Sequence, residues 1–378
     1  MTSTLAWVLT HDGGRLVLQQ AAWELGPLGP DDVLVEPIYG CWEANMSHAL
    51  CGEPIDICKA RNEASLVLGN AGVVRVLQAG ADVTLAQVGD LCLVFGNAAP
   101  DEAGYMTRAL AYDAPGTMGV LAKRSRLHQR NVIPIPAAAP GTEAQWAAFS
   151  LRYITAWSNW RAALGCWRLA MGHVADVPAH CWGWGGGVAF AELQLAAQLG
   201  SRAVLLTSSD KRAAKIEAAG MIPVDRRPFG DLRYDRDTRR DPARQDAFKV
   251  NEKRWLDAVG ERTDGRGASI FIDNLGGPLT RVTLKALGRQ GVLATCGWKL
   301  GVRSESIRAA ECIAHHTHVH THYARYDEGI EAVRYAAENN WLPPADLPIY
   351  GWDEIPRLAA DYDAGRICSY FPLFAVAA

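Results

Sequence analysis

The chain is expected to be an α/β protein in which a small β-barrel is followed by a doubly wound parallel sheet. Three observations predict this. Residues 1–145 are β-rich, with short apolar runs divided by turn residues. From about residue 146 strand-like and helix-like segments alternate. Within that second part a glycine-rich turn (Gly183, Gly185, Gly186, Gly187) opens an amphipathic run with apolar Val188, Leu193, Leu195, Ala196 and Leu199. Gly200 closes the run, as a residue able to take φ > 0 often does at a helix end, and an apolar stretch at 203–206 follows. Turn, helix and buried strand in that order make half of a dinucleotide-binding βαβ unit.

In the first part, strands are expected at 5–10, 15–20, 32–39, 72–78 and 90–95. Turn chemistry separates them: His11-Asp12-Gly13-Gly14, then 26–30, then Gly89-Asp90. Pro134, Pro136 and Pro140 mark a stiff boundary. A helix over 146–164 comes next, then a weak strand at 174–177, the glycine turn with its helix, a strand at 203–207, a helix at 211–219 and a strand at 222–225. Residues 226–250 are dense in both charges and read as a solvated surface loop. The alternation resumes with helix 253–262, strand 269–273, helix 279–287, strand 291–296, strand 319–323 and helix 327–339, and a β-type end at 370–376.

The glycine turn carries the first functional expectation. Glycines let the backbone approach a pyrophosphate, and the first N–H groups of the following helix point at it. The expected contacts are Gly183, Trp184, Gly185, Gly186, Gly187 and Val188. A bulky Trp184 in such a turn would cap the pyrophosphate, turn outward or block it. After the next strand the chain reads Thr207-Ser208-Ser209-Asp210-Lys211-Arg212. An NAD site usually places a carboxylate there for the ribose 2′-OH. Hydroxyls on Ser208 and Ser209 and the cation of Lys211 suit a 2′-phosphate better, so NADPH is the expected cofactor. Asp210 dissents, and is preferred as the N-cap of helix 211–219.

Composition narrows the rest. The 378 residues are 49% apolar and 21% charged, as in ordinary globular enzymes, and two domains are expected. A net charge of −3 leaves no footprint for nucleic acid. No leader and no membrane-spanning run are read, so a cytoplasmic location and no membrane partner are expected. Nine scattered cysteines read as reduced thiols. Most of the thirteen tryptophans are expected to fill core, with several available to line an apolar pocket.

Taken whole, the chain resembles the medium-chain dehydrogenase/reductase superfamily, and within it the crotonyl-CoA carboxylase/reductase branch. The resemblance rests on named stretches. Gly52-Glu53-Pro54 follows a short helix holding Asn45. Tyr112-Asp113-Ala114-Pro115-Gly116 is similar to that branch's Tyr-Glu-Thr-Pro-x-Gly. Trp182-Gly183 precedes the glycine turn and Gln194-Leu195 follows it. Val224-Asp225-Arg226-Arg227-Pro228-Phe229-Gly230 is similar to Ile-Asp-Arg-Arg-x-Phe, and Thr321-His322-Tyr323 stands at Ser-His-Phe. The resemblance implies a GroES-like β-barrel catalytic domain at 1–145, completed by about 345–378, and a Rossmann domain at 146–344. It also implies a homodimer paired through its Rossmann sheets.

Departures from the branch are informative. Gly69-Asn70-Ala71-Gly72 replaces the Gly-His-Glu of the zinc alcohol dehydrogenases, and no cluster of four cysteines is present, so neither zinc ion of those enzymes is expected. Carboxylating members are expected to hold CO2 with an Asn, a Phe-Glu pair and a His. Here Asn45 matches, Tyr112-Asp113 keeps an aromatic and a shorter acid, and Asn274 takes the histidine's place. An amide hydrogen-bonds but carries no titrating proton.

The resulting expectation is a zinc-independent, NADPH-dependent reductase of an α,β-unsaturated acyl thioester, borne on CoA or a carrier protein, without carboxylation. Two alternatives stand beside it: a repurposed member that binds a pathway intermediate or catalyses a non-redox step, and a reductive carboxylase that retains CO2 capture. Asn45 would stabilise the enolate; Asp113, Thr155, His322 and Asn274 would position substrate or protons. Arg226 could reach a cofactor or CoA phosphate, though a surface ion pair with a neighbouring aspartate is the plainer use. Cys296 and Gly297 would border the nicotinamide, with a close-packed turn as the alternative. The run His315-His316-Thr317-His318-Val319-His320-Thr321-His322 would place His316, His318, His320 and His322 on one face of a strand; a metal-free strand is the preferred reading.

Overall fold

The computed structural model describes residues 3–297, 299–301, 303, 315–321 and 323–377. Two compact units emerge, Met1–Ile154 with Ala324–Ala378, and Thr155–Tyr323.

In chain order the first unit contains β1 (Ser3–Asp12), β2 (Arg15–Glu24), β3 (Asp32–Cys41), α1 (Ala44–Cys51), α2 (Ile57–Arg61), β4 (Ser65–Val67), β5 (Gly72–Ala79), β6 (Leu91–Val94), β7 (Asn97–Pro100), β8 (Met106–Ala109), β9 (Ser125–His128) and β10 (Val132–Pro134). Helix α3 (Glu143–Met171) runs on into the second unit. That unit holds β11 (His180–Trp184), α4 (Gly187–Gln198), β12 (Arg202–Thr207), α5 (Asp210–Ala218), β13 (Ile222–Asp225), α6 (Arg236–Arg240), α7 (Pro242–Arg262), β14 (Ala268–Asp273), α8 (Thr280–Ala286), β15 (Leu287–Thr295) and β16 (His318–Thr321). The chain returns to the first unit through α9 (Tyr326–Asn339), β17 (Ile349–Tyr350), α10 (Ile355–Asp363) and β18 (Leu373–Ala375).

The first unit is a β structure closed by its own C-terminal return. Its main sheet has the order β10-β6-β5-β3-β18-β17, with β9 also paired to β3, and a second sheet is ordered β2-β1-β4. Alternation along β3 and β5 turns Val33, Val35, Val74 and Val76 inward, where they join Trp7, Trp42, Leu66 and Phe374 in one core. Trp146, Phe149, Tyr153, Trp341 and Phe371 make a second aromatic group, with Phe149 stacked on Tyr153 at 5.0 Å.

The second unit is a six-stranded sheet ordered β13-β12-β11-β14-β15-β16, every neighbouring pair parallel. In order of occurrence this is 3-2-1-4-5-6, the doubly wound order whose reversal lies between its first and fourth strands. Helix α4 packs beside Gly183, whose added Cβ would meet Leu193 at 3.2 Å. The opposite face carries Trp182, Trp184, Val204, Leu206 and Phe271 against Phe248, Trp255 and Val259 of α7 and Val282 of α8.

Three expectations need correction. The strand leading into the glycine turn is 180–184, not 174–177. Trp182 and Trp184 alternate onto one sheet face, so this strand's apolar signal lies in two indoles rather than in β-branched residues. The charged stretch 226–250 is largely helical, as α6 and the first two turns of α7. Asp235 and Asp241 supply its N-caps, and Phe248 is the buried anchor its charge density hid. The N-cap of α5 is Ser209, whose hydroxyl accepts from Arg212 N–H; Asp210 is its first helical residue.

Six tryptophans (Trp42, Trp146, Trp160, Trp182, Trp255, Trp341) are among the largest fully buried side chains, which bears out core filling. The eight described cysteines are all free thiols. Among the described residues no helix is long and apolar enough to cross a membrane.

Candidate functional site

The reversal point of the parallel sheet brings the glycine turn to the C-terminal end of β14. Gly185 has φ +141, a conformation that L side chains rarely adopt. A Cβ there would also meet Asn274 Cβ and Ala189 Cβ at 3.3 Å each. Gly186, the N-cap of α4, has open space where its Cβ would stand and brings no side-chain cap. The first N–H groups of α4, from Gly187 and Val188 onward, therefore need an acceptor from elsewhere.

Trp184 does none of the three things expected of it. It is the last residue of β11 and only 4% exposed. Its indole lies in the core of the α7 face, stacked on Trp255 and edge-on to Phe271. Its carbonyl accepts from Asn274 N–H at 3.5 Å.

Asn274 joins the ends of β14 and β15. Its Oδ1 accepts from Cys296 N–H at 3.0 Å and from the Cys296 thiol at 3.3 Å. Its Nδ2 is buried with no hydrogen-bond partner among the described residues. Gly297 packs on the Asn274 backbone, where a Cβ would come within 2.8 Å of the carbonyl oxygen. The preceding Asp273 is 1% exposed and accepts from Leu275 N–H, Gly276 N–H and the Thr283 hydroxyl. Burial pushes its carboxyl above the usual range, against the pull of those bonds.

The end of β12 supplies the next group. Thr207 Oγ1 accepts from Ser209 N–H at 3.1 Å, and the side chains of Ser208 and Lys211 are exposed beyond it. Arg226 N–H donates to Thr207 O at 3.0 Å, which sets Arg226 beside the same strand end with its side chain exposed. Asp210 is engaged by Arg227, whose Nη2 donates to it at 2.8 Å while its Nε donates to Asp225. The dissenting carboxylate is thus half of an ion pair.

Thr155 is half-buried on α3. One turn further on, Asn159 Nδ2 donates to both oxygens of Glu192 at 3.2 and 3.0 Å. Glu192 lies on α4, fully buried. Burial pushes its carboxyl up to about 8, opposed by the Asn159 amide. Burial raises the Cys296 thiol, and the Glu192 charge adds to the shift.

The first unit holds Asn45 and Asp113. Asn45 lies in the first turn of α1, and its Oδ1 is buried with no hydrogen-bond partner among the described residues. Two residues earlier, Glu43 accepts from Arg152 Nε at 3.0 Å. Arg152 also donates to Trp42 O and Tyr370 O at 2.7 Å each, and both charged groups are nearly inaccessible. Burial raises the Glu43 carboxyl, with Arg152 opposing. This buried pair pins the entry to α1. Asn70 is 3% exposed and its Oδ1 has no hydrogen-bond partner among the described residues; the carbonyl of the next residue, Ala71, accepts from Cys41 N–H at 3.0 Å. Asp113 accepts from Ala109 N–H at 2.6 Å, so its carboxylate closes a turn.

His322 lies outside the described residues. His316 sits in a turn at φ +55, so it does not share a strand face with His318 and His320. His318 is exposed and within 3.2 Å of Gln290 Oε1.

The sequence matches no protein family and no curated protein, but solved structures match across its length. A crotonyl-CoA carboxylase/reductase, AntE, in complex with NADP superposes with a TM-score of 0.82 at 19% identity, covering 99% of this chain and 94% of that one. The 2-octenoyl-CoA carboxylase reductase CinF, in complex with NADP and 2-octenoyl-CoA, gives 0.78 at 19%, covering 99% and 87%. A thermostable alcohol dehydrogenase from Pyrobaculum aerophilum gives 0.71 at 15%, covering 99% and 100%. The chain has the medium-chain dehydrogenase/reductase fold.

In that fold, the residues that sequence reading missed are Glu43, Arg152, Asn159 and Glu192. Each is polar and buried, in a segment that reads as ordinary helix or strand end. Their signal is a charge or amide among apolar neighbours, visible only once burial is known. The fit to a dinucleotide is a matter of this chain's own geometry. The turn has a residue at φ +141, open space over Gly186, an uncapped helix N-terminus, and an indole withdrawn into the core.

Proposed function

We propose that the chain is an NADPH-dependent reductase of an α,β-unsaturated acyl thioester, acting without carboxylation. The observation that carries this reading is the withdrawn Trp184 side chain above an uncapped, open Gly186. The backbone at the sheet's reversal point is thereby left accessible to a diphosphate. The likeness to solved enzymes crystallised with NADP, and in one case with 2-octenoyl-CoA, supports the same reading.

NADPH, when bound, supplies a hydride. The chain's own residues do the rest. Gly185, Gly186, Gly187 and Val188 present backbone to the diphosphate, with Gly183 and the Trp184 backbone leading into the turn. Ser208, Ser209, Lys211 and Arg226 form the cationic and hydroxylic end suited to a 2′-phosphate. Asn274 holds the Cys296–Gly297 turn, and its unpartnered Nδ2 is a donor for the nicotinamide side. Asn45 is the donor for the enolate oxygen, kept in place by the Glu43–Arg152 pair. Thr155 and His322 position substrate. Asp113 acts by holding its turn.

The absence of carboxylation rests on Asn274, whose Oδ1 is spent on Cys296 and whose amide cannot titrate. Borne on CoA or a carrier protein, the substrate is a thioester; the reading extends to a cytoplasmic homodimer joined along β16, the last strand of the sheet among the described residues, where Val319 is 61% exposed. The test is direct. NADPH fluorescence should change on titration with the protein, and crotonyl-CoA with NADPH should give the saturated acyl-CoA mass with and without bicarbonate. No response to millimolar NADPH ends the reductase reading. A product heavier by one CO2 with bicarbonate replaces it by the reductive carboxylase.

A further inference from the structure

The first unit carries a group of potential ligands that the reductase reading does not use. His11 stands near the end of β1, Asp56 is the N-cap of α2, and Cys58 is that helix's second residue. One ligand atom from each lies within 4.8 Å of the others, and this is the one such His/Cys/Asp/Glu group among the described residues. Strand pairing assembles it. Thr10 of β1 is in register with Ser65 of β4, which follows α2 closely.

The three side chains are partly fixed already. His11 Nε2 is 3.2 Å from Asp56 Oδ2. Asp56 Oδ1 accepts from Lys59 N–H at 3.2 Å. Cys58 is 2% exposed and forms the floor, whereas the His11 and Asp56 side chains, 33% and 19% exposed, form a rim open to water.

We propose that His11, Asp56 and Cys58 form a zinc-binding site that fastens the β1–β2 hairpin to α2, with water as the fourth ligand. Imidazole, carboxylate and thiolate are the donors zinc takes, whereas calcium and magnesium require oxygen. Zn–S of about 2.3 Å and Zn–N or Zn–O of about 2.0–2.1 Å place tetrahedral ligand atoms roughly 3.3–3.6 Å apart. The 4.8 Å spread therefore asks for a contraction of at most about 1.2–1.5 Å, within reach of the partly exposed His11 and Asp56 side chains. Lys59 Nζ sits 3.0 Å from Asp56 Oδ2, but its side chain is 78% exposed, and an exposed ion pair is cheaply released. On binding, the Cys58 thiol gives its proton to solvent and the thiolate takes the metal. This site differs in residues and place from the β4–β5 connection at Asn70, where the alcohol dehydrogenases carry their zinc-binding histidine.

The test uses the purified full chain after treatment with EDTA. Calorimetric titration with Zn2+ should show one ion per chain, and Co2+ should give a thiolate-to-cobalt charge-transfer band. Cys58→Ser should lose the band. His11→Ala, at a rim position the fold tolerates, should weaken zinc by at least about 10-fold while leaving NADPH binding unchanged. Lys59→Ala should tighten binding, and a His318→Ala/His320→Ala variant should bind as the unaltered chain does. No zinc binding at micromolar concentration overturns the proposal. So does an unchanged affinity in His11→Ala, or binding lost with His318 and His320.

Discussion

Trp184 stacks on Trp255, with ring centroids 5.4 Å apart and ring planes inclined by 28°. The contact joins the last residue of β11 to the middle of α7. It explains how a glycine turn tolerates an indole at its threshold: residues 182 and 184 share the sheet face away from α4, so the ring fills the core instead of the turn.

Trp184→Ala should therefore act on stability. Removing a 4%-exposed indole from this cluster leaves a cavity, with an expected loss of about 3–5 kcal/mol. Thermal denaturation reads that loss directly. NADPH affinity, measured below the variant's melting range, should stay within about twofold. A gain in affinity would show that the indole obstructs the turn after all.

Gly186→Leu is the converse. Its φ of −97 suits L residues, and open space receives the new Cβ, so stability should change by no more than about 1 kcal/mol. The side chain would nonetheless stand where the diphosphate approaches. NADPH binding should fall by at least about 10-fold, or roughly 1.4 kcal/mol. An unaltered Kd would remove the turn from the cofactor site.

Selectivity between cofactors should lie at the end of β12. Charge-assisted hydrogen bonds contribute about 1.5–3 kcal/mol each. Lys211→Ala and Arg226→Ala should each weaken NADPH by roughly 10- to 100-fold, with NADH little affected. Equal losses for both cofactors would relocate the 2′-phosphate.

Glu192 predicts a pH dependence of stability. Its carboxyl, ordinarily near 4.5, is raised to about 8 in the folded chain. A raised folded value means that the neutral form is favoured inside. Its contribution is fully present below about 4.5 and is lost as pH rises toward about 8. Glu192→Gln keeps the Asn159 contact without the charge. The variant should gain on the unaltered chain progressively between pH 5 and pH 8, on the order of a few kcal/mol at the upper end. Parallel melting curves across that range would show Glu192 to be ionised throughout.

The doubly wound order was legible because parallel strands buried on both faces are short apolar runs between helices. The glycine turn was legible because backbone at φ +141 beside a neighbouring Cβ excludes side chains. Residues 226–250 were misread because their many charges are surface, while the helices are held by two aspartate caps, by Phe248 and by Trp255 and Val259 further along α7. Asp210 was misread as the cap because Ser209, one residue earlier, supplies the capping hydroxyl, while Arg227, seventeen residues on, pairs with the Asp210 carboxylate.

What the sequence determined alone is the strand–helix alternation of the second unit and the place of the turn, because periodicity and glycine stereochemistry are local properties. Only the tertiary structure decided which way Trp184 points, that Asn274 commits its Oδ1 to Cys296, and that Glu192 is buried against Asn159. Each depends on a partner dozens of residues away, and a side chain's direction, bond and charge state are set by what packs against it.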